Sequence, residues 1–197
     1  MYRIAALVAL MILLLLPLET VGARESKANR TMGLNAADFE QAADAAIASL
    51  LDSGAVDRPG GGRYVLVVSR IINDTTQRID TDQLVKKIRI ALLRSGKVVT
   101  TTAIGLDGAE DEMTHAAREL RGNAEFDQRG VAGSGQLQAP DYSLSGKIIQ
   151  RVNTIDRRTQ QVDYYFQLSL TDINSGLAYW EDEYPITKVG KARTTSW

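Results

Sequence analysis

The chain contains no cysteine and a single histidine, and its 197 residues include only four prolines and 6 % aromatic side chains. Without cysteine there can be no disulfide, thiol nucleophile, iron–sulfur cluster, cysteine-ligated zinc or lipid anchor on cysteine, and one histidine excludes a metal site that needs two. An excess of charge of one sign is missing as well. The 23 Lys+Arg residues balance 24 Asp+Glu to a net −1, and no basic stripe interrupts that balance, so nothing favours nucleic-acid binding. What is present, 44 % hydrophobic and 24 % charged residues, is the composition of a globular protein.

The first 23 residues differ from the rest. Met1-Tyr2-Arg3 carries one positive charge, Ile4 to Leu18 runs without any charge, and Val21 and Ala23 are small residues placed as a signal peptidase requires. This pattern predicts a secretory signal over residues 1–23, cleaved between Ala23 and Arg24. An uncleaved anchor is the alternative, although an apolar run of this length gives about 22 Å of helix against a hydrocarbon core of ~30 Å. Either outcome exports the chain to the periplasm, soluble or membrane-tethered. Residues 24–34 read as a short polar leader and residues 35–197 as a single α/β domain.

Asn35 is a good N-cap, with Asp38 at the third helical position and Leu34 and Phe39 as a hydrophobic staple, so a helix is expected up to Asp52-Ser53-Gly54. Arg58 to Gly62 forms a loop. Tyr64 to Ile72 is an apolar run of strand length, as in a central strand covered on both faces. Asp80 and Gln83 open a second helix over Thr81–Arg94, closed by Gly96, and Lys97 to Ala103 is a β-branched strand. Together these make a β-α-β unit. A third helix is expected over Gly108–Leu120, with Glu110, Asp111 and Glu112 in its first turn, followed by a long irregular loop over Arg121–Pro140.

From Asp141 onward the hydrophobic period becomes two. Tyr142, Leu144, Ile148 and Val152, then Tyr164, Phe166, Leu168 and Leu170, then Trp180, Tyr184 and Ile186 define the apolar face of an antiparallel three-stranded meander, with Asp172 to Gly176 as a tight hairpin. Tyr165 and Tyr179 are placed on the polar face with Lys147, Arg151 and Gln167. The expected fold is thus α/β (α+β): a mixed sheet with a β-α-β unit followed by an antiparallel meander, helices packed on the sheet.

Chemistry-bearing patterns are sparse. Gly-Lys pairs at 96, 146 and 190 lack the preceding glycine of a phosphate loop. The glycine triplet at 60–62 precedes a strand rather than a helix, so it is no dinucleotide fingerprint. His115 has no serine elbow to serve, Asp80 and Asp82 read as helix-start residues, and Asp172-x-Asn174-x-Gly176 lacks the remainder of a calcium loop. No catalytic residue, metal ligand or cofactor site emerges, and no small-molecule substrate is implied.

The stretch VVSRIINDTTQRIDTDQLVKKIRIALLRSGKVV, residues 67 to 99, resembles the corresponding segment of the LpoB-type penicillin-binding-protein activators. The resemblance continues through Asp141 to Ile149, Tyr164 to Leu168, Leu170-Thr171-Asp172, Gly176, Trp180-Glu181 and Trp197. It implies a small α/β domain like the N-terminal domain of TolB. It also implies an envelope protein without catalytic activity, which docks on a bifunctional peptidoglycan synthase and stimulates it. Family members are typically lipoproteins, and this sequence has no cysteine to carry the lipid. The loop carrying Asn73, Thr75, Thr76, Gln77 and Arg78 is the expected partner-binding surface. A structural subunit of an envelope secretion or transport assembly is the alternative function.

Overall fold

Capping chemistry sets the first element. The Asn35 side chain accepts hydrogen bonds from the N–H groups of Ala37 and Asp38, and the N–H of Asn35 donates to the Asp38 carboxylate at 2.8 Å. This reciprocal capping box starts α1 (Ala36–Asp52), which buries Ala42, Ala43, Ala46, Ile47 and Leu50. The structure, a computed structural model, describes residues 32–105 and 110–191. The expected signal with its Ala23–Arg24 cleavage point, most of the leader, and Trp197 lie outside the described residues.

β1 (Tyr64–Asp74) follows the glycine triplet. α2 (Thr81–Ser95) starts where the Asp80 carboxylate accepts from the N–H of Gln83 at 3.0 Å, and ends at Gly96 in the left-handed conformation, φ 70°. β2 (Val98–Thr100) then pairs parallel with β1, completing the expected β-α-β unit. It is shorter than Lys97–Ala103. The N–H of Thr101 still reaches the Leu66 carbonyl at 2.9 Å, after which the chain turns away from the sheet.

α3 (Glu112–Glu119) also falls short of the expected Gly108–Leu120: its cap is Asp111, which accepts from the N–H of Met113 at 3.1 Å. Glu110 therefore precedes the helix instead of sitting in its first turn. Residues 121–140 form no helix or strand, as expected.

β3 (Tyr142–Thr154), β4 (Thr159–Asp172) and β5 (Ala178–Lys191) form the antiparallel meander. The β4–β5 hairpin is closed by the Asp172 carboxylate, which accepts from the Ser175 N–H at 2.8 Å, and by Gly176 at φ 71°. Strand order is β2-β1-β3-β4-β5, with β1 parallel to both its neighbours.

α1 and α2 pack on one face of this sheet. Leu50, Leu84, Ile88 and Leu92 share a core with Leu66, Val68, Ile71, Leu144, Ile148, Tyr164, Phe166, Leu168 and Leu170, each buried aliphatic side chain contributing about 1.5–3 kcal/mol. A β-bulge at Ser69–Arg70 resets the alternation of β1 so that Ile71 stays in that core. The expected double cover of β1 holds only for its first half: facing away from the helices, Val67 is 8 % exposed but Ile72 is 51 % exposed.

Candidate partner-binding surfaces

The β1–α2 loop is built from its own polar groups. The Asn73 amide donates to the Gln77 carbonyl at 2.8 Å, and its oxygen accepts from the N–H and hydroxyl of Thr75. Thr76 donates through its N–H and its hydroxyl to the Gln150 side chain on β3, at 2.9 and 3.0 Å. Gln77 reaches the other way. Its amide donates to the Leu34 carbonyl, and its oxygen accepts from the Leu34 N–H, both at 2.9 Å. Four of the five expected partner-binding residues thus shape the loop and clamp the segment before α1. Arg78 is exposed and takes no part in this network.

The segment so clamped is anchored a second time. The buried Tyr164 hydroxyl donates to the Met32 carbonyl at 3.2 Å, and Met32 packs over Gly190 where a Cβ would collide with its sulfur. Beneath it, Lys188 Nζ lies 2.7 Å from Asp38 Oδ1, with only 5 % and 10 % of the two side chains exposed. Nothing in the spacing of the sequence announces this ion pair, but the alternation Tyr184, Ile186, Lys188 places the lysine inward. Burial, and then the Asp38 charge, push the Tyr164 phenol above its ordinary range.

At the opposite end of the sheet three tyrosines meet edge to face. Tyr64 and Tyr142 have ring centroids 4.9 Å apart, Tyr142 and Tyr179 5.5 Å apart, and the Arg58 guanidinium lies 5.0 Å over Tyr64. Burial, reinforced by a hydrogen bond with Tyr64, pushes the Tyr142 phenol up to about 12. Tyr179 was expected on the polar face. Register shifts at Leu170/Thr171, so Tyr179 occupies a bulge between residues paired with β4 and turns onto Tyr142 instead.

The face of the sheet turned away from α1 and α2 presents four cross-strand rows. Ser145, Ser169 and Glu181 form one cross-strand row; Lys147, Gln167 and Glu183 the next; Ile149, Tyr165 and Pro185 a third; Arg151, Asp163 and Thr187 a fourth. Two shallow cavities of 480 and 340 Å³ lie on it, sharing Gln167 and Ser169. Glu183 accepts from Gln167 at 2.6 Å and Glu181 from Ser169 at 3.0 Å, both neutral donors. Lys147 pairs with Asp74 at 2.7 Å, and Arg151 lies 5.8 Å over the Tyr165 ring. Asp163 is almost buried among the side chains of Asn153, Gln161 and Thr187, all of which donate to it.

His115 Nε2 is 2.6 Å from the Ala103 carbonyl oxygen and 3.2 Å from Glu110, so this nitrogen carries its proton and ties α3 back to the end of the β2 segment. Among the described residues no group of three His, Asp or Glu is arranged to hold a metal ion, and no helix is long and apolar enough to cross a membrane. The arrangement offers surfaces for contact, with one apolar-and-charged sheet face, one polar loop and one aromatic end.

A family model described as peptidoglycan-synthase activator LpoB matches residues 38–186. Among solved structures, the LpoB C-terminal domain from Salmonella enterica aligns at 15 % identity over 76 % of this chain and 98 % of its own, with a TM-score of 0.45. The domain from Escherichia coli gives 15 %, 76 %, 98 % and 0.44. A PelC dodecamer from Paraburkholderia phytofirmans aligns at 19 % identity over 65 % of this chain and 73 % of its own, with a TM-score of 0.32. A comparison with curated proteins gives no match.

Proposed function

Because the chain belongs to the LpoB family of peptidoglycan-synthase activators, we propose that it is a non-enzymatic periplasmic module that binds a bifunctional penicillin-binding protein and stimulates it. The observation that carries this reading is the extent of the family match, which runs from the first turn of α1 into β5 and so reaches every helix and strand of the described residues. The reading includes the signal over residues 1–23, one domain from residue 35 onward, and no lipid on cysteine.

Stimulation without chemistry has a definite energetic form. A ligand shifts a conformational equilibrium only by its differential affinity for the two states, so a ten-fold gain in active synthase requires about 1.4 kcal/mol of preference for the active conformation. A contact surface suffices for that. The β1–α2 loop is the proposed edge of the contact, with Arg78 as its free charge and Asn73, Thr75, Thr76 and Gln77 holding the shape that presents it.

The test is a glycan-polymerisation and transpeptidation assay of the bifunctional synthases of the source cell with and without the purified protein. Faster polymerisation by at least one synthase is expected, and Arg78→Glu should slow association several-fold, as loss of a rim charge does. If no synthase is bound or stimulated, the reading fails. Stable rings in solution would instead favour a subunit of an envelope assembly.

A further inference from the structure

The uncovered sheet face carries its charges in columns. Lys147, which also pairs with Asp74 of β1, and Arg151 stand on β3, Glu181 and Glu183 stand on β5, and the strand between them, β4, presents Ser169, Gln167, Tyr165 and the nearly buried, hydrogen-bonded Asp163 on the same side. The two glutamates are held upright by Ser169 and Gln167, which donate hydrogen bonds but bring no compensating charge. The row below, Ile149, Tyr165 and Pro185, is apolar and ends on β1 at Asp74, while Ile72, 51 % exposed, extends the Lys147 row. A face with an apolar row, and opposite charges equally displaced to either side of a central strand, is complementary to itself.

We propose that this face is an interface between two copies of the chain, stacked sheet on sheet about a two-fold axis parallel to β4. Such an axis keeps each row at its own level and exchanges β3 with β5. Lys147 of each copy then meets Glu183 of the other, Ile149 meets Pro185, and Tyr165 meets its own counterpart on the axis. Stacked sheets lie ~10 Å apart, and because every row crosses the axis at β4, the twist of each sheet leaves the fit closest along that strand.

Area supports a modest interface. Strands ~4.8 Å apart that rise ~3.3 Å per residue give β3, β4 and β5 a flat footprint of roughly 15 Å by 33 Å over about ten residues each. Two such footprints come to about 1,000 Å², the lower end for specific association, which makes the pair concentration-dependent. Pairing through the free edge of β5 is disfavoured instead. Pro185 sits in the middle of that strand without breaking its register with β4, so its nitrogen, which has no proton to donate, faces the open side.

The test is sedimentation velocity on the purified protein over a range of concentration and salt, and it does not depend on any synthase. The wild type is expected to form dimers that weaken with salt. Lys147→Glu and Glu183→Lys alone each place like charges opposite one another twice, and each should weaken association at least about ten-fold. Mixing the two variants restores both attractive pairs in a heterodimer, so association should return to within about three-fold of the wild type. A defect inside one chain cannot be repaired in that way. Tyr165→Arg, on the axis, should abolish association with the thermal transition retained. A monomeric wild type, singles that associate like the wild type, or a mixture that stays as weak as its components would overturn the proposal.

Discussion

Asp38 serves two ends at once, accepting the Asn35 N–H with one oxygen and the Lys188 ammonium with the other. Replacing it by alanine takes the Asp38 carboxylate away from a buried lysine, and should cost about 3–5 kcal/mol in chemical denaturation. Asp38→Asn combined with Lys188→Met should recover most of that loss, because the desolvated charges disappear together. The capping half of this residue was legible from Asn35 and Asp38 alone, three positions apart. Its ionic half was not, since Lys188 lies 150 positions away and only the inward phase of the β5 alternation hints at it. Tyr142 gives a second expectation at this scale. With its folded value raised to about 12 from the usual 10, the phenol stays neutral in the folded state after it would ionise in an unfolded chain. That contribution is complete below about pH 10 and is lost as pH rises towards about 12. A tyrosine titration followed by ultraviolet absorbance should show the Tyr142 and Tyr164 phenols ionising late, and Tyr142→Phe should remove one of these late steps together with its share of the alkaline loss of stability.

Among the elements, β3 contains a constraint set by backbone. Gly146 lies between Ile71 and Leu168, and a Cβ there would come within 2.7 Å of the Gln167 carbonyl oxygen and 2.6 Å of the Leu168 side chain. Backbone cannot yield as a flexible side chain does, so Gly146→Ala should destabilise by about 1–3 kcal/mol, read as a lowered denaturation midpoint. Strands and helices with strong periodicity or caps, such as α1, α2 and the meander, could be read from the residues because local and global preferences agree there. The misplacement of Tyr179 has the opposite origin. One extra residue in β5 shifts the side-chain phase, and a bulge carries no periodic signal. Val98 to Thr102 are β-branched and would suit a longer strand, whereas the length of β2 is decided by where the chain leaves β1.

On the scale of the molecule, none of the described residues between β2 and β3 joins the core that α1 and α2 share with the sheet. α3 has no buried residue. The two ends of this segment are held by adjacent residues of β1, with the Thr101 N–H on the Leu66 carbonyl and the Asp141 N–H on the Val65 carbonyl. They flank one strand, so about 10 Å separates them, and a linker of about four residues can close that gap. Replacing residues 105–139 by such a linker should leave the thermal midpoint within a few degrees of the wild type, measured by calorimetry. The layered arrangement followed from the order of strand and helix signals, but the bare second face did not, because an apolar run such as Tyr64 to Ile72 reads the same whether one or both of its sides are covered. The clamp at the other end of the domain has a mechanical meaning. Gln77 grips Leu34 by both backbone groups, Tyr164 holds Met32, and Met32 is seated on Gly190. The body therefore cannot swivel freely about the chain that enters it. Any pull arriving through residue 32 is delivered to the β1–α2 loop and the far end of β5, so the load enters the domain at two separate strands instead of through α1 alone.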